Sequence, residues 1–410
     1  MKEIFIPGSK SQSIRALLVN AFSRGVAKID NILFSSDTLS CIRALEKLNV
    51  VFRKEDGALI IDSRNIFENV PDDTVLDLEN SGTSLYLLMG LVASSGKRII
   101  LTGDESLKKR PVKEIADALS ALGAEIEMTD NHLPLTVKGP LKGGYVEISC
   151  PSSQYLSSLL LASVFSLNDT EIKATLLYEK PYVTLTLSWL DKEHIDYTIS
   201  SNYMRAKIKG RQHFFPLDSY ISGDYSSACF FFAYAMVKKE SIYVRGLDPC
   251  DEQGDKRVLS ILEEMGASIK EMSDGFIIKG PERIKGGTFD LNDIPDSLPI
   301  LAVLSALSSE EVRLVNCANA RIKETDRIKA MHDELEKIGV SATELPDGLV
   351  IRPSRINGGL VKGYDDHRII MAFSILRTVV PSIEIDSTEK VSVTLPHFFD
   401  MLALLEESDE

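Results

Sequence analysis

One phrase recurs along this chain and limits what it can fold into: an amphipathic helical stretch ending in Leu-Gly-like residues, a short strand, a turn and another strand. It reads Leu45-Glu46-Lys47-Leu48-Asn49, then Leu119-Ser120-Ala121-Leu122-Gly123, Leu262-Glu263-Glu264-Met265-Gly266 and Leu335-Glu336-Lys337-Ile338-Gly339, with a degenerate copy from Leu190 to His194. The landmarks Asn49, Gly123, His194, Gly266 and Gly339 lie 74, 71, 72 and 73 residues apart. A glycine in that place is a helix stop. Gly143-Gly144, Gly286-Gly287 and Gly358-Gly359 each follow a strand-like run and suit tight turns at positive φ. One period beyond Gly339 comes a sixth helix, Met401 to Leu405, whose following strand would be the N-terminal Ile4-Phe5-Ile6. The pattern thus predicts six units that close on themselves, the first strand completing the last unit. Such a unit cannot bury its own apolar face, so three per domain is the natural split. One domain is expected over 9–222 and the other over 223–410 with 1–8, hinged near Pro7-Gly8 and Ser222-Gly223. Two such lobes joined by a double crossing imply a ligand cleft.

Charge narrows the ligand. The 410 residues carry 46 basic and 60 acidic side chains, a net −14, which argues against a grip on nucleic acid or anionic lipid. No apolar run reaches membrane-span length, and the start MKEIFIPGSK lacks the apolar core of a signal peptide. Five scattered cysteines without a CxxC pair, and six histidines without ligand spacing, give no metal site and no disulfide framework. A cytoplasmic protein without a metal is expected, with no nucleic-acid or membrane partner.

Against this acidic background, cations gather at helix starts and turns. Lys10, Ser11 and Arg15 follow Pro7-Gly8-Ser9 at the head of an apolar-periodic helix that Ser9 or Ser11 caps. Free N–H groups and the dipole attract anions there, whereas basic residues do not favour the helix itself. Asn80-Ser81-Gly82-Thr83-Ser84 and Ser152-Ser153-Gln154 offer small residues and hydroxyls at two more helix starts. Lys108-Lys109-Arg110 precedes Pro111, which reads as a first helical position. Asp296 opens the apolar helix from Leu298, as a cap or as a reactive carboxylate. In Asn319 to Arg327, Lys323 and Arg327 stand four apart and would share a helix face, a like-charge pair costing about 0.2–0.5 kcal/mol. Arg368 follows Asp365-Asp366-His367 at another turn. A small polyanion such as a phosphate monoester, at about −1.5 to −2 charge, warrants this collection. A lattice of solvated charge is the plainer alternative.

Taken in order, PGSKSQSIRALL (7–18), NSGTS (80–84), KKRPV (108–112), SSQ (152–154), KPY (180–182), SGDYSSA (222–228), IPD (294–296), KETDR (323–327) and DDHR (365–368) resemble the enolpyruvyl transferases over essentially the whole chain. They are most similar to the branch that acts on shikimate 3-phosphate. The resemblance implies an α/β fold, a two-lobed inside-out α/β barrel of six βαβαββ units, three per lobe. It implies transfer of the enolpyruvyl group of phosphoenolpyruvate to the 5-hydroxyl of shikimate 3-phosphate with release of phosphate, in aromatic amino acid biosynthesis, with no metal or organic cofactor; a monomer is expected. It further implies catalytic roles for Asp296, Glu324 and Lys10. Phosphoenolpyruvate would be held by Lys10, Gly82, Arg110, Gln154, Arg327 and Arg368. Shikimate 3-phosphate would be held by Lys10, Ser11, Arg15, Ser152, Ser153, Gln154, Tyr182, Asp296, Asn319 and Lys323.

Four positions depart from the family pattern. Tyr86 stands where an arginine is usual, Glu179 where a serine precedes Lys-Pro-Tyr, Ile14 where an asparagine precedes Arg15, and Val393 where a lysine lies three before Pro396, with Lys390 nearby. Two alternatives therefore stay open: a weakened paralogue that binds an anionic metabolite, and enolpyruvyl transfer to another acceptor. The nucleotide-sugar branch is disfavoured, because Gly103 to Leu107 lacks its loop cysteine.

Overall fold

A single strand order recurs through the computed structural model, which describes residues 1–407. In the unit from Thr74 to Lys138, strand Thr74–Asp77 leads through helix Gly82–Val92 to a parallel partner, Arg98–Thr102. Helix Lys113–Ala121 then leads to the antiparallel pair Glu125–Thr129 and His132–Lys138, and the last strand returns to the sheet centre. Two more four-stranded sheets, in 144–208 and 287–352, repeat that order. A two-stranded parallel sheet, Gly359–Val361 with Ile383–Ile385, opens the final unit. The fold is α/β, built of βαβαββ repeats.

The landmarks of the repeat have one physical meaning. Asn49, Gly123, His194, Gly266 and Gly339 all have positive φ, from 54° to 107°, and each turns the chain out of a helix. Gly143-Gly144 and Gly358-Gly359 also have positive φ, but Gly286-Gly287 does not. At Gly286 space is the constraint, since a Cβ would lie 2.3 Å from the Glu311 carbonyl oxygen.

Strand pairing corrects the expected closure. The N-terminal strand Lys2–Phe5 pairs in parallel with Ser241–Arg245, Lys2 opposite Ile242, and so completes the fourth unit instead of the last. The helix Phe398–Glu407 packs on that strand without supplying its sheet, so the periodicity found the right neighbours and the wrong bond. The short strand Ser219–Tyr220 in turn pairs with Val26–Asp30 of the first unit, Ser219 opposite Ile29. Each of these strands thus leads in sequence into one set of three repeats while its hydrogen bonds go to the other set.

The described residues divide into two compact units, 9–221 and 1–8 with 222–407. Each has its own hydrophobic core. The helix after the first strand of each repeat lies inside its unit. Every residue of Gly82–Val92 is buried, as is every residue of Leu298–Ala306 and nearly all of Tyr225–Lys238. Each buried Leu or Phe contributes about 1.5–3 kcal/mol relative to exposure. The second helix of a repeat is amphipathic, as in Arg327–Lys337, and the sheets form the outer layer. No described helix is long and apolar enough to cross a membrane.

Candidate active site

The motifs stand at the starts of these inner helices. In the unit 9–221, Ser9 caps helix Lys10–Ala21, its hydroxyl accepting from the Gln12 N–H at 3.5 Å. Lys10 Nζ lies 3.2 Å from the Asp37 carboxylate. Arg15, one turn on, is 1% exposed. Its Nε donates to Thr186 Oγ1 (2.9 Å), Nη1 to the Ser11 carbonyl (3.0 Å) and Nη2 to the Tyr182 carbonyl (2.9 Å). These acceptors are all neutral. Burial pulls the guanidinium down to about 10, partly offset by the Tyr182 phenol. A cation desolvated without a carboxylate carries a cost that neutral acceptors only partly offset.

Two further helix starts meet each other in the same unit. Ser81 caps Gly82–Val92, accepting from the Ser84 N–H at 3.3 Å, and Ser152 caps Ser153–Ser163, accepting from the Gln154 N–H at 3.4 Å. Gln154 Nε2 donates to Thr83 Oγ1 at 3.0 Å and ties the two starts together. Arg110 lies flat against Gly82, where a Cβ would sit 2.3 Å from Nη1, and its Nη2 donates to Asn80 Oδ1 at 3.3 Å. Close approach, not φ, favours that glycine, because a Cβ there would push the Arg110 guanidinium aside. Pro111 does not open a helix as expected, because Lys113–Ala121 begins after Val112. Its carbonyl instead accepts from the phenols of Tyr86 (2.9 Å) and Tyr155 (2.8 Å), which pins the chain next to Arg110. Tyr182 sits in the first turn of Lys180–Lys192, and Glu179 before it accepts from Ser153 Oγ at 3.0 Å.

In the other unit the charges are fused. Asp296 lies in the 3-10 turn Pro295–Ser297 and does not cap the helix Leu298–Ala306. Its Oδ1 accepts from Arg327 Nη1 at 2.7 Å, its Oδ2 is 3.1 Å from Arg368 Nη2, and Lys323 Nζ is 3.9 Å away. Burial pushes this carboxyl up, but Arg368, Lys323 and Arg327 together outweigh burial and hold it well below the usual carboxylate range. Behind the turn, Asp255 accepts from Ser297 Oγ (2.7 Å) and Ser226 Oγ (2.6 Å).

Lys323 and Arg327 do not share a helix face. Lys323 ends the 3-10 turn Ala318–Ile322, and Asp326 caps a new helix, Arg327–Lys337, by accepting from the Lys329 N–H at 3.0 Å. The expected like-charge pair is replaced by convergence on Asp296. Arg327 is fully buried. It meets Asp366 through Nε (2.7 Å) and Nη2 (3.2 Å), Glu324 through Nη2 (2.6 Å) and Asp296 through Nη1. Four of its five N–H groups are thereby used. Although desolvation lowers its pKa, the three carboxylates raise it further. Asp366 also caps helix His367–Arg377. Asn319 is buried with neither Oδ1 nor Nδ2 hydrogen-bonded, against the rule that buried polar groups are paired.

The structure therefore brings Lys323, Glu324, Arg327, Arg368 and Asp296 together in one unit. In the other, Arg15, Ser11 and Tyr182 form one hydrogen-bonded group, and Gly82 with Arg110 and Gln154 with Thr83 form others. Sequence reasoning missed Asp366, Asp37, Thr186 and Thr83. Asp366 carried a local signal, an Asp at the head of a buried helix, and Thr83 another, a hydroxyl at a helix start; Asp37 and Thr186 carried none. Val393 is buried in the 3-10 turn Glu389–Val393. Among the described residues no group of His, Cys, Asp and Glu is arranged to hold a metal.

A family model described as EPSP synthase (3-phosphoshikimate 1-carboxyvinyltransferase) matches residues 1–402. The chain is 42% identical over 401 residues to a 3-phosphoshikimate 1-carboxyvinyltransferase of Acetivibrio thermocellus, covering 97% of this chain and 94% of the relative. It is 37% identical over 405 residues to that of Methanosarcina mazei, with the same coverage. Among solved structures it superposes on EPSP synthase from Acinetobacter baumannii with a TM-score of 0.78 at 25% identity, covering 98% of this chain and 94% of that one. The enolpyruvyl transferase NikO from Streptomyces tendae shares the fold, with a TM-score of 0.78 at 15% identity over 99% of this chain and 95% of that one.

Proposed function

Because the chain belongs to the EPSP synthase family, we propose that it transfers the enolpyruvyl group of phosphoenolpyruvate to the 5-hydroxyl of shikimate 3-phosphate and releases inorganic phosphate. In this reading Lys10, Arg110, Arg327 and Arg368 hold phosphoenolpyruvate, with Gly82 and Gln154 against it. Ser11 and Arg15 take the acceptor's carboxylate; Ser152, Ser153 and Lys323 take its phosphate; Asn319 and Asp296 take its ring hydroxyls, with Tyr182, Lys10 and Gln154 alongside.

The reaction is an addition followed by an elimination. The hydroxyl oxygen bonds to C2 of phosphoenolpyruvate as its proton leaves and C3 gains one; then C3 gives up a proton and the C2–O bond to phosphate breaks. Asp296 is the proposed acceptor of the hydroxyl proton, and Glu324 with Lys10 moves protons at C3 and at the leaving group. The observation that carries the reading is Asp296 held ionised by Arg327, Arg368 and Lys323. At rest those cations make it a weak base. Anionic ligands that draw Lys323 and Arg368 to themselves release Asp296 from that hold, so its basicity rises when both substrates are bound.

The test is phosphate release from the two substrates. Wild type should turn over, and Asp296→Asn should lose about 10²–10⁴-fold in kcat. A wild-type protein that binds shikimate 3-phosphate and releases nothing overturns the reading in favour of a binding protein. The buried free thiols of Cys41, Cys150, Cys229 and Cys317 support a reducing cytoplasm as its location. A monomer is proposed, to be checked by light scattering.

A further inference from the structure

The turn before helix Lys180–Lys192 has an unusual occupant. Glu179 adopts φ 57°, a left-handed conformation that side chains other than glycine and asparagine seldom take, and it is 2% exposed. Its Oε2 accepts from Ser153 Oγ at 3.0 Å and from the Ser153 N–H at 3.4 Å. Two ties fix the strained turn around it. The Tyr182 N–H donates to the Glu179 carbonyl at 3.0 Å, and the Tyr182 carbonyl accepts from Arg15 Nη2 at 2.9 Å. The backbone is therefore set by its neighbours, and the side chain is delivered to the start of the eleven-residue helix Ser153–Ser163.

A carboxylate in that place uses the donors that an incoming phosphate needs. Ser153 is one of the three residues, with Ser152 and Lys323, to which the function proposed above assigns the acceptor's phosphate, and the inference rests on that assignment. We propose that Glu179 determines acceptor specificity: it is a resident anion in the acceptor-phosphate seat and sets how tightly a phosphorylated acceptor binds. A carboxylate only accepts hydrogen bonds, as does a phosphate dianion, so the two cannot share the Ser153 donors and must repel if both stay. Phosphate enters only as Glu179 withdraws. The cost falls on the phosphorylated acceptor and not on its unphosphorylated counterpart, so discrimination between the two is compressed.

Two variants test this. Glu179→Ser replaces the anion by a donor on the same backbone, and Glu179→Gln keeps its size while removing its charge. Inorganic phosphate, titrated calorimetrically without other ligands, should bind Glu179→Ser at least tenfold more tightly than wild type, with Glu179→Gln between them. Adding Ser153→Ala should abolish the gain. In steady state, Glu179→Ser should lower KM for shikimate 3-phosphate at least fivefold, move KM for phosphoenolpyruvate less than twofold, and raise the preference for shikimate 3-phosphate over shikimate. Folded variants with unchanged or weaker phosphate binding and an unchanged or higher acceptor KM overturn the proposal, while turnover by wild type leaves the proposed function standing. If wild type never turns over but Glu179→Ser gains phosphate through Ser153, the proposed function fails and the resident anion stands.

Discussion

The two units bury charge in opposite ways. In 9–221, Arg15 rests on Thr186, Ser11 and Tyr182, all neutral, and the buried Glu193 rests on the Phe215 N–H at 2.6 Å. In 222–407, Arg327, Arg368 and Lys323 are interleaved with Asp296, Glu324 and Asp366. The first arrangement keeps opposite charges apart and leaves each partly uncompensated, so an anion arriving at Arg15 relieves an existing cost. The second is balanced, three against three, so an anion must break pairs to bind. Lys10, paired with Asp37, and Asp255, accepting from the neutral Ser297 and Ser226, show that the division is not absolute. On the proposed function, balance also serves chemistry, because it keeps Asp296 ionised and quiet until ligands redistribute the cations around it.

The contrast is broken most directly by removing one arginine from each unit. Arg327→Met strands Asp366 as a fully buried carboxylate without its cation and takes a partner from Glu324 and Asp296, and should cost about 3–5 kcal/mol in urea denaturation. Arg15→Met leaves only neutral acceptors unmatched and should cost about 1–2 kcal/mol, yet raise KM for shikimate 3-phosphate about tenfold or more. Equal stability losses would mean that the charges of the two units are not held differently.

A gentler change sharpens the same point through pH. Asp296 has its pKa depressed in the folded protein, so the stability it contributes is present above the ordinary value of about 3.9 and is lost as pH falls through the folded value. Asp296→Asn should therefore lie below wild type by about 2 kcal/mol at neutral pH, with the gap closing below about pH 4. A gap that persists unchanged into acid would assign the loss to packing instead of charge.

Much of this architecture is legible from local chemistry, and the remainder fails at identifiable places. Asn49, Gly123, His194, Gly266 and Gly339 marked the repeat because each must turn out of a helix at positive φ, which sequence records directly. Exchange of the strands Lys2–Phe5 and Ser219–Tyr220 left no such mark. Alternating Ile4 and Ile6 fit any parallel neighbour, and the choice of Ser241–Arg245 is made by contacts more than two hundred residues away. Lys323 and Arg327 looked like helical neighbours because spacing alone was read, whereas Asp326 is a capping residue and starts a new helix between them. Pro111 misled for the opposite reason. Its value lies in a carbonyl that two distant tyrosines share, and no local pattern announces that. The cations of the site were legible as residues; their carboxylate partner Asp366 was legible only as a cap.

The smallest expected effect tests the segregated unit alone. Glu193 follows the last turn of helix Lys180–Lys192, with Oε1 buried and without a hydrogen-bond partner. Burial pushes its carboxyl up to about 7, against which the Phe215 N–H pulls down. For an acid raised in the folded state, stability is fully present below the unfolded value of about 4.3 and is lost as pH rises through the folded one. Wild type should therefore lose about 1–3 kcal/mol between pH 4.5 and 7.5 through this group alone. Glu193→Gln keeps an oxygen for the Phe215 N–H and has no proton to lose. It should flatten that slope and leave the variant more stable than wild type at pH 8, by about 1–2 kcal/mol. Parallel pH profiles for the two proteins would show that Glu193 is compensated after all, and one half of the contrast between the units would go with it.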